Sequence, residues 1–290
     1  MLSGCAKQGY PSGGPKDTQP PVALGCSPDN ATLNFDEQEF FIEFDEYVVL
    51  KDAENNILVS PPMKHKPEYS SKGYGILVKI KDTLRENTTY LFQFKNAIAD
   101  FTEGNALQSY EYVFSTGGKM DMHCIEGYVT EALTGKPMEK DVTVMAYACE
   151  KGMVDDSVVA TGTPTYITRC DKSGLFRLNH IRGGQYKLAA IVDADRNLKF
   201  TPGEAIAWAD NMITAIPMPD TLMKVKVEDD SSEATVAPRD TSHYAMLRIS
   251  TLEQEVQRVL KSEMKSKGHA EITTQLPMTD PQIDAENIWW

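Results

Sequence analysis

Twelve consecutive residues carry the densest set of potential ligands in the chain: Asp193-Ala194-Asp195-Arg196-Asn197-Leu198-Lys199-Phe200-Thr201-Pro202-Gly203-Glu204. Oxygen-bearing side chains fall at the first, third, fifth and twelfth places. A tight loop with that spacing gathers carboxylates and one backbone carbonyl around a hard divalent cation such as calcium. On this reading Asp193, Asp195, Asn197 and Glu204 offer side-chain oxygens, Glu204 with both of its own, and Lys199 offers its main-chain carbonyl. Two residues depart from the pattern. Leu198 stands where a glycine permits the sharp turn, and Lys199 brings a positive side chain close by. A loop braced only by its own Asn and Asp turn bonds is the other reading, and the sequence leaves both open. A bound ion here would clamp a loop and would not catalyse.

Nothing else points to catalysis. His65, His123, His180, His243 and His269 are scattered, with no HExxH or GxSxG around them. Asp45 and Glu46 are adjacent on an expected strand, so they face opposite sides and cannot share a substrate. Gly183-Gly184 lacks the strand, GxxxxGKS loop and helix of a phosphate cradle. The expectation is a protein that is not an enzyme.

The cysteines come next. Met1-Leu2-Ser3-Gly4-Cys5 resembles the lipobox of bacterial lipoproteins, in which small residues precede a cysteine whose thiol is acylated. Only Met1 lies before the match, so the basic and apolar regions of a signal peptide are missing; the start is read as trimmed or misassigned. The resemblance implies a lipid anchor at Cys5. Residues 6–21, rich in Gly, Pro, Ser and Lys, would serve as a flexible tether. Of Cys26, Cys124, Cys149 and Cys170, none has zinc-site spacing. In an exported protein Cys149 and Cys170, near the ends of neighbouring expected strands, form the candidate disulfide; small buried thiols are the alternative.

The elements that must position these residues are strands. Phe40 to Asp45, Ile76 to Ile80 and Thr89 to Phe94 alternate with period two, broken by Pro61-Pro62, Gly73, Asn87, Asn96 and Gly104. Residues 22–116 therefore read as a β-sandwich. Residues 122–215 read as a second one, with strands at Ile125–Val129 and Val142–Tyr147. There Gly174 fits a hairpin position of positive φ, and Phe176 and Tyr186 point inward. Thr116-Gly117-Gly118 reads as a hinge between the two. Residues 216–290 read as a polar linker, a short helix over Leu252 to Met264 and, from His269 to Pro277, the start of a further β domain. The fold expected is all-β, with two tandem antiparallel β-sandwiches.

Residues along the first segment resemble bacterial Ig-like domains of the S-layer type: Pro20-Pro21-Val22, Ser27-Pro28-Asp29-Asn30, Ile42-Glu43-Phe44-Asp45-Glu46, Leu84-Arg85-Glu86-Asn87-Thr88-Thr89-Tyr90 and Tyr112-Val113-Phe114-Ser115-Thr116. The overall layout is similar to Ig-like-domain lipoproteins of Bacteroidota. Asp171-Lys172-Ser173-Gly174-Leu175-Phe176 with Gly184-Gln185-Tyr186-Lys187-Leu188 is similar to carboxypeptidase-regulatory, prealbumin-type sandwiches. These resemblances imply a structural or interaction lipoprotein of the outer membrane, on the cell surface or the periplasmic face. An outer-membrane β-barrel assembly or export machine is the partner they suggest. Two alternatives stand beside it. One is a glycan-binding accessory of a polysaccharide-uptake system, with Trp208, Trp289 and Trp290 as stacking candidates; the other is the accessory part of a larger hydrolase.

Composition narrows the field. The 290 residues are 41% hydrophobic and 24% charged, a globular balance. No stretch approaches the roughly 18 apolar residues of a spanning helix. A formal net charge of −13 with no basic, aromatic-laced patch argues against nucleic acid.

Overall fold

The computed structural model describes residues 16–149, 157–219, 243–251, 259–267 and 269–274, and its regular structure is almost entirely β. The first unit contains β1 (Ala23–Ser27), β2 (Glu39–Phe44), β3 (Val48–Leu50), β4 (Leu58–Ser60), β5 (Glu68–Lys72), β6 (Gly75–Lys79), β7 (Thr89–Gln93), β8 (Ile98–Asp100), β9 (Ala106–Leu107) and β10 (Glu111–Ser115). One short helix, α1 (Ala53–Asn56), precedes β4. A sheet in the order β1-β2-β6-β5 packs against β10-β7-β4, with β3-β8-β9 as a third small sheet. The alternation seen in the sequence does the sorting. Phe40, Ile42 and Phe44 of β2, Ile76 and Val78 of β6, and Tyr90 and Phe92 of β7 all turn into one core. Aromatic pairs fill its centre: Phe40 stacks on Tyr112 at 4.0 Å and Phe35 on Phe114 at 3.9 Å, each pair worth roughly 1 kcal/mol beyond its buried area.

The second unit contains β11 (His123–Glu131), β12 (Thr143–Ala148), β13 (Tyr166–Arg169), β14 (Leu175–Ile181), β15 (Gln185–Ile191), β16 (Ala205–Trp208), β17 (Ile213–Thr214), β18 (Ile216–Pro217) and β19 (Ala245–Thr251), with α2 (Val158–Thr161) beside them. The main order is β13-β12-β15-β16-β19-β11-β14, and the sheet folds over a core that includes Ile125, Val144, Phe176, Leu188 and Leu247. As expected, Gly174 takes φ +80° and Phe176 and Tyr186 are buried. Two features differ from the sequence reading. First, β19 lies between β16 and β11, so this sheet runs on past Ala215 to Thr251. Second, β19 pairs with β11 in parallel, Gly127 opposite Ala245 and Glu131 opposite Ile249, where only antiparallel pairs were expected.

The helix expected over Leu252 to Met264 is a strand where it is described. Here β20 (Val259–Ser266) pairs antiparallel with β21 (His269–Thr274); residues 252–258 lie outside the described residues. Spacing of Val256, Leu260 and Met264 suits a helix, but Lys261, Glu263 and Lys265 alternate equally well. Glu263 binds Lys261 at 3.0 Å and Lys265 at 2.5 Å, and Lys265 reaches Glu271 across the hairpin at 3.3 Å. Cross-strand charge pairing of this kind favours the extended form.

A third apolar layer joins the units. Met145, Tyr147, Ile167, Ala189, Ile191 and Ile206 project from the opposite face of the β13-β12-β15-β16 sheet and pack with Leu58 of the first unit, Val159 of α2, and Leu198 and Phe200. Ile167 N–H donates to Ser60 Oγ across the seam at 3.1 Å, and Arg182 Nη2 to Asn87 O at 2.7 Å. The Gly117 segment, read as a hinge, is pinned. Gly117 O accepts from Asn34 N at 3.0 Å, Ser115 Oγ donates to Lys119 O at 2.7 Å, and Asp121 N donates to Thr89 Oγ1 at 2.8 Å.

Candidate functional site

The Asp193–Glu204 segment connects β15 to β16, and Val192 N–H closes its base on Ala205 O at 3.0 Å. Its carboxylates converge: one oxygen each from Asp193, Asp195 and Glu204 lies within 4.8 Å of the others. Main-chain amides hold them there. Asp193 accepts from Asn197 N and Leu198 N, both at 3.1 Å; Glu204 accepts from Ala194 N at 2.8 Å and Thr201 N at 2.9 Å. Burial pushes the Asp193 carboxyl above its ordinary range, its bond with Asp195 and the Glu204 charge push the same way, and the two amides oppose them.

Leu198 adopts φ +57°, the left-handed conformation that a glycine would take at this place. The strain is of order 1–2 kcal/mol for an L-residue. What the side chain gains is visible: Leu198 and Phe200 sit on the apolar layer of the seam. Leucine therefore trades backbone ease for an anchor that docks the loop on the sheet.

Of the five expected ligands, the structure brings three carboxylates together. Asn197 turns its amide nitrogen to Asp195 Oδ2 at 2.7 Å, while its oxygen accepts from Lys199 N at 2.6 Å; it would have to rotate to offer oxygen to an ion. Thr201 Oγ1, which the spacing did not single out, donates to Asp195 Oδ2 at 3.2 Å. A compact trio of carboxylates can hold a hard cation, and its present bonds also brace the loop without one.

The other candidates fare differently. Cys5, Trp289 and Trp290 lie outside the described residues. None of the four described cysteines is in a disulfide, so Cys149 and Cys170 are not joined. Register explains why. Cys170 N–H binds Val142 O, seven positions before Cys149 on the antiparallel partner, a separation on the order of 20 Å at about 3.3 Å per residue. A disulfide needs Cα atoms within about 7 Å. Ends that adjoin in sequence lie at opposite ends of the ladder. Burial raises the Cys170 thiol to about 12 and the Cys124 thiol to about 11.

A second surface feature escaped the sequence reading. Tyr47, Tyr74 and Phe101 are 55%, 49% and 71% exposed at one end of the first unit. The Tyr47 and Tyr74 rings lie 4.2 Å apart, tilted by 38°. Phe101 N–H donates to Tyr47 O at 2.9 Å, continuing the register of Val48 opposite Asp100, so Phe101 and Tyr47 share one face. Asp100 sets the loop that displays Phe101, accepting from Glu103 N and Asn105 N at 2.6 Å and from Gly104 N at 2.9 Å. The surround is acidic. Burial raises the Glu46 carboxyl, and the charges of Asp100, Asp45, Asp17 and Glu103 add to it. Three turns far apart in sequence build this platform, and no local pattern marks it.

Comparison with known proteins bears on the fold. No curated protein matches the sequence. Among solved structures, the N-terminal part of the bacterial S-layer protein SbsC aligns at 13% identity with a TM-score of 0.24, over 69% of this chain and 44% of that one. BcpA, the major pilin subunit of Bacillus cereus, aligns at 11% identity with a TM-score of 0.20, over 69% and 67%. The chain thus spans less than half the length of the S-layer structure. Residues 17–116 match the family of bacterial Ig-like domains, which makes the first unit an Ig-like β-sandwich.

Proposed function

We propose that this chain is a non-enzymatic structural and protein-interaction module, held at the outer membrane by a lipid on Cys5. The observation that carries the reading is the Tyr47, Tyr74 and Phe101 platform. Large exposed aromatics clustered on an otherwise well-packed sandwich mark a surface built to be covered. Its acidic surround suits a partner presenting Lys or Arg side chains, which an aromatic face also attracts. An outer-membrane β-barrel assembly or export component is the partner class we favour. The Asp193–Glu204 loop, with calcium bound, would stiffen the seam between the two units.

The test is a photo-crosslinking residue at position 101 in the lipidated protein in native membranes, with position 133 as control, since Leu133 is 93% exposed on the second unit. A barrel-protein adduct at 101 and not at 133, lost with Tyr47→Ala, is expected. Equal adducts at both positions, or none at 101, would overturn the reading. Cys5→Ala should move the protein to the soluble fraction. A second reading, a glycan-binding accessory, draws on the same Tyr47 and Tyr74 rings, which could stack on a sugar face. Glycan-array binding that Tyr74→Ala abolishes would favour it.

A further inference from the structure

Along the seam between the two units runs a cleft of about 1070 Å³, bounded by Lys95 and Ser109 of the first unit and by residues 136–142 and 169–174 of the second. Its charge runs against that of the chain. Lys95, Lys136, Lys140, Arg169 and Lys172 line it against Glu139, Asp141 and Asp171, five cations to three carboxylates, in a protein of net charge −13.

Two of the cations are placed unusually. Lys95 sits at φ +32° in the turn after β7 and reaches across to Cys170 O at 3.4 Å. Arg169, at the end of β13, reaches back across to Asn55 O. Each half-buried cation therefore ends on a backbone carbonyl of the opposite unit. Among the described residues, neither has a carboxylate within 4.0 Å. Asp171 Oδ1 accepts from Ser173 N, Ser173 Oγ and Leu175 N, and Asp141, which also lines the cleft, is exposed. An ammonium has three N–H donors and a guanidinium five, so among the described residues most of these donors have no protein acceptor. Burial holds both groups below their ordinary pKa and the Arg169 charge adds to the effect on Lys95, while the charge of Asp141 opposes it on both.

We propose that this cleft is an oxyanion site that takes a phosphate group between Lys95 and Arg169. Two positive charges lining one cleft are matched by a dianion, and a guanidinium binds two phosphate oxygens at once. Because one cation comes from each unit, the bound phosphate would bridge them. A single phosphate group fits where a nucleic-acid backbone, repelled by the rest of the surface, does not.

The experiment is a phosphate titration of the whole chain, read by thermal unfolding and by calorimetry, with sodium chloride matching ionic strength. A saturable upward shift in Tm is expected. Lys95→Met and Arg169→Met should each weaken binding at least tenfold, while Lys136→Met should change it less than threefold. If Arg169→Met does not fold, Lys95→Met and the charge-retaining Arg169→Lys carry the test. The latter should bind more weakly than the wild type and more tightly than Lys95→Met. A shift no larger than that of chloride, or Lys95→Met responding like the wild type, would overturn the proposal. Vesicles of phosphatidylcholine with phosphatidylglycerol separate the sources. Co-sedimentation lost in Lys95→Met assigns the site to a lipid headgroup, and response to inorganic phosphate alone assigns it to a free phosphate.

Discussion

Replacing Asp195 by asparagine should reverse the order of stability between wild type and variant when calcium is added. Without an ion, three carboxylate oxygens crowd within 4.8 Å. At that distance each pair of charges repels by about 0.9 kcal/mol in water, and by about 0.5 kcal/mol after screening at physiological salt. Asp195→Asn removes two of the three pairs, a gain of about 1 kcal/mol. It keeps one side-chain oxygen, so the bonds from Asn197 and Thr201 can persist in part. In chelator the variant should therefore melt about 2–4 °C above the wild type. With calcium at a hundred times its Kd, the wild type gains about 2.7 kcal/mol, whereas a site short of one charged ligand gains much less. The variant should then melt below the wild type. The assay is a pair of thermal melts, in chelator and in millimolar calcium, with magnesium as control. If the order is the same in both, the trio does not bind calcium; if the variant is no more stable in chelator, the repulsion estimate is wrong.

Two further outcomes follow from packing and charge. Gly127→Ala should free β19: an added Cβ would lie 2.1 Å from Ala245 O and 2.7 Å from the Phe176 ring, more than about 1 Å inside ordinary C···O contact. Destabilisation of about 1–3 kcal/mol in urea, with lost amide protection over residues 245–251, is expected; full protection would place β19 elsewhere. For pH, Glu111 and Asp82 should act with opposite sign. Burial raises the Glu111 carboxyl despite its bond from Gln93, so the folded state holds its proton longer and stability falls as pH rises from the unfolded value through the folded one. Glu111→Gln should then stabilise at pH 7 and leave stability unchanged at pH 3. Burial also works to raise Asp82, but the amide and ring of His65 and the amide of Lys64 outweigh it and lower the carboxyl. Its contribution is complete above the unfolded pKa and is lost as pH falls through the folded one, so Asp82→Asn should destabilise at pH 7 and cost little in strong acid. Acid titrations of denaturant midpoints check both signs.

What the sequence disclosed and what it hid divide along the distance over which each signal acts. Alternation in β2, β6 and β7 is local, and Phe40, Ile76 and Phe92 went to the core as their spacing required. Loop spacing is also local, and three of the carboxylates it singles out, Asp193, Asp195 and Glu204, lie together. Ala245, Leu247 and Ile249 alternate just as cleanly and are all buried. Yet their strand follows a long polar run and pairs in parallel with β11, over a hundred residues earlier, and no short window contains that partner. Cys149 and Cys170 part for a related reason: the neighbouring strands are legible, β12 beside β13, whereas a disulfide depends on register. Tyr47, Tyr74 and Phe101 come together only where three turns meet, and no short window holds all three.

The seam shows why the two units should be treated as one body. Strand β12 is buried on both faces: Val144 and Ala146 face the second unit's own core, while Met145 and Tyr147 face the layer shared with Leu58. A sheet with one solvent face would alternate apolar and polar residues; Thr143 to Ala148 does not, because its outer face is covered. Exposing that face on separation would return several large apolar side chains to water, at about 25 cal/mol per Å². The Gly117 segment adds backbone and side-chain bonds where a free hinge would have none. Leu198 and Phe200 tie the carboxylate loop to the same layer, and Lys95 and Arg169, one from each unit, line one cleft at the seam. The aromatic platform, the loop and the cleft are therefore fixed relative to one another by apolar packing at the seam, and a partner docked on the first unit would meet a surface whose orientation the second unit helps to set.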